Sequence, residues 1–186
     1  MFGLLLTGCV PEPGEADRDP TPSAPSTPES AAPAQPGAVV PDSCGELLSD
    51  EEVSALTGQD QYLAPESPSL VSLPGPLARQ TAEGAVERLD CLWWIVNVWE
   101  ATLPVFVSRT SAEAQTALID GLRTSTLYTE TTIGGEPAFT STFTDELFIN
   151  QVVYVFVEDV WIALVAPIEP DVAIAVAEAA LAAVRA

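Results

Sequence analysis

Three thiols, 27 carboxylates, six arginines and no histidine make up the reactive inventory of this 186-residue chain. Without histidine the commonest general base and metal ligand is missing, so Ser-His-Asp and Cys-His catalysis are excluded. Carboxylate chemistry remains. Acidic pairs stand at Glu51-Glu52, Asp145-Glu146 and Glu158-Asp159. A glycosidase needs two such groups roughly 5–9 Å apart in a cleft. Each pair also has a local explanation, as the first turn of a helix, a loop and a hairpin turn. No catalytic residue is assigned. Calcium would call for alternating Asp/Asn oxygens around a Gly turn, and the chain has no such loop. Neither a metal site nor a cofactor is expected.

The first thiol has a distinctive setting. Leu6-Thr7-Gly8-Cys9 presents an aliphatic residue, a small residue and Gly ahead of Cys. This resembles a bacterial lipobox, in which the thiol takes a diacylglyceryl group and cleavage leaves Cys as the first residue. The resemblance implies lipidation at Cys9, with residues 1–8 the remnant of a signal peptide. Only eight residues precede Cys9, and none is basic. A secretory signal carries a basic region and a longer apolar run. The expected translation start therefore lies upstream. Two acyl chains give the stable anchoring that one cannot.

Behind Cys9, residues 10–42 hold nine prolines with Ser, Thr, Ala and acids, and almost nothing large to bury. Residues 9–42 read as a lipidated Cys and a disordered, Pro-rich acidic tether. At polyproline rise its upper reach is roughly 100 Å. In an exported domain the remaining thiols, Cys44 and Cys91, form an even pair and read as a disulfide, against the alternative of two buried thiols. Bridging them would close a loop of about 48 residues, for which chain entropy predicts roughly 4 kcal/mol. The net charge of −21 repels phosphate backbones and anionic headgroups. Nucleic acid is therefore excluded as a partner, and membrane attachment is left to the acyl chains. No segment reads as a transmembrane helix, because Glu158-Asp159 interrupts the most apolar run.

Residues 43–186 should form a single α+β domain, a mostly antiparallel sheet with about three packed helices. Ser49 to Glu52 is a capping box and Gly58 a stop, so one helix is predicted near 50–57. Residues 59–80, with four prolines, read as an irregular loop. Strand character follows over 88–99 and 103–109, with Pro104 pointing to an edge or a strand start. Thr110 to Glu113 reads as a second capping box, opening a helix near 111–122. Further strands are expected at 126–132 and 138–143, and a hairpin from 148–157 and 160–166 about Glu158-Asp159. Pro170 opens a last helix near 171–185.

Two patches now combine. Cys44-Gly45-Glu46-Leu47-Leu48 runs into the capped acidic helix, and Cys91-Leu92-Trp93 lies downstream. Together with the lipobox, the tether and the Ala-rich last helix, they resemble a large family of actinobacterial lipoproteins of unknown function. The lack of Lys and the wealth of Ala, Pro, Val and Arg are similar to proteins of GC-rich genomes. The resemblance implies an extracytoplasmic α+β domain with one disulfide and carries no catalytic residues.

Trp93, Trp94 and Trp99 form the best candidate binding surface. On one strand Trp93 and Trp99 would share a face with Cys91, and Trp94 would face the other way. Trp93 and Trp161 are expected in the core, while Trp94 and Trp99 stand evenly between core and ligand platform. The leading expectation is a non-catalytic, membrane-anchored binding or interaction module of the cell envelope, on the extracytoplasmic face. Its partner could be an envelope glycan, a lipid or a protein. The alternative is a carboxylate-dependent hydrolase acting on cell-wall glycans or esters.

Overall fold

A computed structural model describes residues 37–186, without the side chains of Trp99 and Glu100. Cys9, the remnant 1–8 and most of the tether 9–42 lie outside the described residues. The elements in chain order are α1 (Cys44–Leu47), α2 (Asp50–Thr57), β1 (Gln61–Leu63), α3 (Pro76–Glu83), β2 (Glu87–Ile95), β3 (Val98–Arg109), α4 (Ala112–Thr124), β4 (Thr129–Ile133), β5 (Glu136–Thr144), β6 (Ile149–Val157), β7 (Val160–Ala166) and α5 (Pro170–Val184). A 3-10 turn at Leu70–Ser72 precedes α3.

The strands form one seven-stranded sheet in the order β1-β2-β3-β7-β6-β5-β4. Every neighbouring pair is antiparallel. The α+β class and the antiparallel sheet are as the sequence predicts. The three expected helices correspond to α2, α4 and α5, and α1 and α3 are additional. The segment read as an irregular loop holds β1, the 3-10 turn and most of α3. Its prolines misled because Pro76 occupies the first turn of α3, where a missing N–H costs nothing. The Cys44–Cys91 disulfide is present and joins α1 to β2.

Helices cover both faces of the sheet. On one face Val153, Val155 and Val157 of β6 join Trp93, Val105, Ile162 and Leu164 beneath α1, α2 and α5. On the other, Val152, Tyr154 and Phe156 join Phe106, Phe139 and Trp161 beneath α3 and α4. At the centre of the sheet neither face is wet, and β7 is buried at every position. This explains the unbroken apolar runs of β6 and β7, where a one-sided antiparallel sheet would alternate.

Local chemistry fixes the ends of the elements. The Ser49 side chain accepts from Glu52 N–H while the Glu52 carboxylate accepts from Ser49 N–H, and Gly58 closes α2 at φ 68°. Ser111, not Thr110, caps α4 by accepting from Ala114 N–H, so α4 begins one residue later than expected. Gly121 lets α4 approach α3: a Cβ there would stand 2.5 Å from Leu77 Cδ2. Pro104 does not mark an edge strand. β3 lies between β2 and β7, but its pairing with β7 begins at Val105, so the missing N–H falls where no neighbour needs it.

The packed chain begins ahead of Ser43. Ala38 and Val40 are buried with the core beneath α5. Val39 N–H donates to Val184 O at 2.8 Å, and Ala38 N–H donates to Glu158 Oε2 at 2.9 Å. Arg109 fastens the same place, donating to Ala38 O at 3.0 Å and forming ion pairs with Glu87 and Asp159.

Candidate functional site

The tryptophans separate by strand. Trp93 and Trp94 lie on β2, whereas Trp99 belongs to the backbone of β3, beyond a two-residue turn at Val96-Asn97. The expected single strand over 88–99 is therefore a hairpin. Asn97 takes φ 66° there, a conformation that Asn tolerates better than most residues.

Asp50 organises the Trp93 side of this edge. One of its oxygens accepts from Trp93 Nε1–H at 3.1 Å and from Leu63 N–H at 2.9 Å. Ser54 accepts from Gln61 N–H at 2.8 Å. Two residues of α2 thus hold β1 against β2. Trp93 is fully buried, and its one polar atom is satisfied. As the pleat requires, Trp94 emerges on the opposite face. It lies half-buried against Tyr62, its cross-strand neighbour, edge to face at 5.7 Å and 81°. Tyr62 is 41% exposed. The pair forms a preorganised aromatic edge with one ring open to solvent. Tyr62 was not anticipated, since it falls within the proline-rich segment. Trp161 is buried, stacked on Phe156.

Four hollows stand out on the surface of the described residues. Two adjoin along the start of α5 and share Thr142, Gln151 and Pro170. Their volumes are about 260 Å³ and 560 Å³. A third, about 380 Å³, lies between α3 and α4. The fourth, about 160 Å³, is bordered by Pro104, Phe143, Asp145 and Asn150. The first has no carboxylate in its lining, and the others have one each: Glu169, Glu113 and Asp145.

The acidic pairs are engaged in local structure. Asp145 accepts from Leu147 N–H and Phe148 N–H, both at 2.8 Å, and from Asn150 Nδ2 at 2.7 Å. The two backbone bonds hold its carboxyl below the usual carboxylate range. A general acid needs the opposite shift. Glu52 is likewise lowered by its Ser49 bonds. Glu158 and Asp159 bind Ala38 N–H and Arg109. Among the described residues only Asp90 has a raised carboxyl pKa, from burial that outweighs the neighbouring Arg88, and it lines none of these hollows. Among the described residues no three His, Cys, Asp or Glu gather as a metal site would need. None of the described helices is long and apolar enough to cross a membrane.

The geometry therefore brings together Tyr62 and Trp94, leaves Trp93 in the core, moves Trp99 to the next strand, and keeps the acidic pairs apart. Cys9 lies outside the described residues. Comparison with protein-family models, with curated proteins and with solved structures found no match.

Proposed function

We propose that this chain is a lipid-anchored protein of the extracytoplasmic face, carried on Cys9, and that its domain is a binding module rather than a catalyst. The observation that carries the reading is the Cys44–Cys91 disulfide. Such bridges form and persist in oxidising compartments, and this one uses two of the three thiols, leaving Cys9 for the lipid. The reading agrees with the resemblance to actinobacterial lipoproteins. The half-exposed Tyr62–Trp94 edge supports binding, since aromatic rings supply contact area at small entropic cost. Against hydrolysis by paired carboxylates stands the placing of the acids: none of the four hollows described above is lined by more than one.

The test is cell fractionation. The wild-type chain should sediment with membranes and enter detergent, and Cys9→Ser should release it. Retention of Cys9→Ser in the membrane would overturn the anchor. Turnover of peptidoglycan or a model ester by the purified protein, lost on alanine substitution at Asp145 or Glu146, would overturn the binding reading.

A further inference from the structure

The two ends of the sheet differ in surface chemistry. One end gathers the Glu158-Asp159 turn, the last turn of α5 and the segment Gly37–Val40, where the described chain starts. The antiparallel register puts the Val96-Asn97 turn, the β5–β6 connection and the start of α5 at the other end. Ten large apolar side chains are exposed among the described residues. Six of them lie at that far end: Tyr62 and Leu63 on β1, Val96 and Val98 at the β2–β3 turn, Leu147 and Ile149 at the β5–β6 connection. Leu147 and Ile149 are 72% and 61% exposed. Only Val39 and Val86 of the ten stand at the Glu158 end. Single exposed apolar residues are ordinary, but a concentration on one end marks an interaction surface.

Acids stand at both ends, but only at the Glu158 end are arginines set among them. Arg88, Arg109 and Arg185 lie at the Glu158 end, each in an ion pair. The far-end connections contain no arginine and carry Asp60, Glu146, Glu169 and Asp171, all exposed and interspersed with the apolar tips.

We propose that this far end docks a polypeptide partner that presents an apolar stripe flanked by Lys or Arg. Charge complementarity selects that occupant. A second copy would set acid against acid, and an anionic lipid surface would be repelled for the same reason. The apolar tips supply the buried contact, and the acids set orientation and exclude acidic competitors. The described chain starts at the Glu158 end, so residues 37–40 do not cover this surface. The inference rests on the binding-module reading and adds to it a place and a partner chemistry.

The test titrates the full, oxidised chain with three synthetic peptides while following amide resonances. One is an amphipathic Leu/Lys helix, the second its Leu/Glu counterpart, and the third a Ser/Lys peptide that controls for attraction by net charge. The Leu/Lys peptide should bind about tenfold more tightly than either. Its shifts should fall at 60–63, 95–98, 145–149 and 169–171. Leu147→Ser with Ile149→Ser should weaken it about tenfold, whereas Val86→Ser should leave it unchanged. All three substitutions are at exposed positions, and an unaltered thermal midpoint will show that the fold is kept. Equal affinity for the three peptides, stronger binding to phosphatidylglycerol vesicles, or no binding at all would overturn the proposal. Shifts confined to the Glu158 end would overturn it too, while leaving the binding-module reading in place. That reading is decided separately, by fractionation of Cys9→Ser and by substrate turnover.

Discussion

Removal of the disulfide by Cys44→Ala with Cys91→Ala should be among the most damaging changes the domain can take while keeping its fold. The bridge joins residues 47 apart in sequence. Closing a loop of that length restricts the unfolded chain by about 14 cal/mol/K, or about 4 kcal/mol at room temperature. A domain of this size is stable by roughly 5–15 kcal/mol, so the loss is a large fraction of the whole. The native state offers little compensation. α1 has four residues, and beyond its Ser43 cap it is held by Leu47, which is buried together with Leu48 just after it. Urea unfolding followed by tryptophan fluorescence gives the measurement. With a slope of about 2 kcal/mol/M, the midpoint should fall by about 2 M. Reduction of the wild-type protein should give the same midpoint as the double variant. A fall of less than about 0.5 M, worth only about 1 kcal/mol at that slope, would refute the loop-closure reasoning.

Three further outcomes follow from local geometry. Gly134 sits at φ 57° with Leu181 Cδ2 2.7 Å from where a Cβ would stand, so Gly134→Ala should cost about 1–2 kcal/mol and lower the thermal midpoint by several degrees. Gly135→Ala meets no neighbour, so its cost is backbone strain at φ 88° alone; the two variants melting alike would contradict the packing account. Burial holds the Asp90 carboxyl above its usual range despite Arg88, so ionising it weakens the fold as pH rises through its raised pKa. Asp90→Asn should therefore gain on the wild type as pH rises from the ordinary carboxylate range through the raised pKa of Asp90, and a difference constant with pH would refute this. Arg109→Gln removes the ties to Glu87, Asp159 and Ala38 O. It should speed proteolytic cleavage near Gly37–Val40 while leaving the sheet intact, and an unchanged cleavage pattern would count against the strap.

What could be read ahead of the structure was local. The Ser49 cap and Gly58 stop delimit α2 because both signals act within a few residues. The Glu158-Asp159 hairpin is legible because two apolar runs flank a polar pair. Misreadings arose where one local signal has two structural meanings. Pro76 opens a helix as Pro170 does, yet among its neighbouring prolines it reads as loop. Val96-Asn97-Val98 has no Gly, so one strand was expected where Asn97 turns the chain. The contacts that position the candidate surface, and those that close the opposite end of the sheet, had no local signature. Asp50 meets Trp93 across 43 residues, and Arg109 meets Ala38 across 71. The apolar far end is likewise assembled from three segments far apart in sequence, β1, the β2–β3 turn and the β5–β6 connection, and only the register brings them to one end.

Intact mass of the protein extracted from membranes with detergent tests the central claim most directly. The account predicts a chain beginning at Cys9 that carries a diacylglyceryl group, two hydrogens lighter for the Cys44–Cys91 bridge. An unacylated chain recovered from the cytosol, with Cys9, Cys44 and Cys91 all reactive toward a thiol reagent, would contradict it.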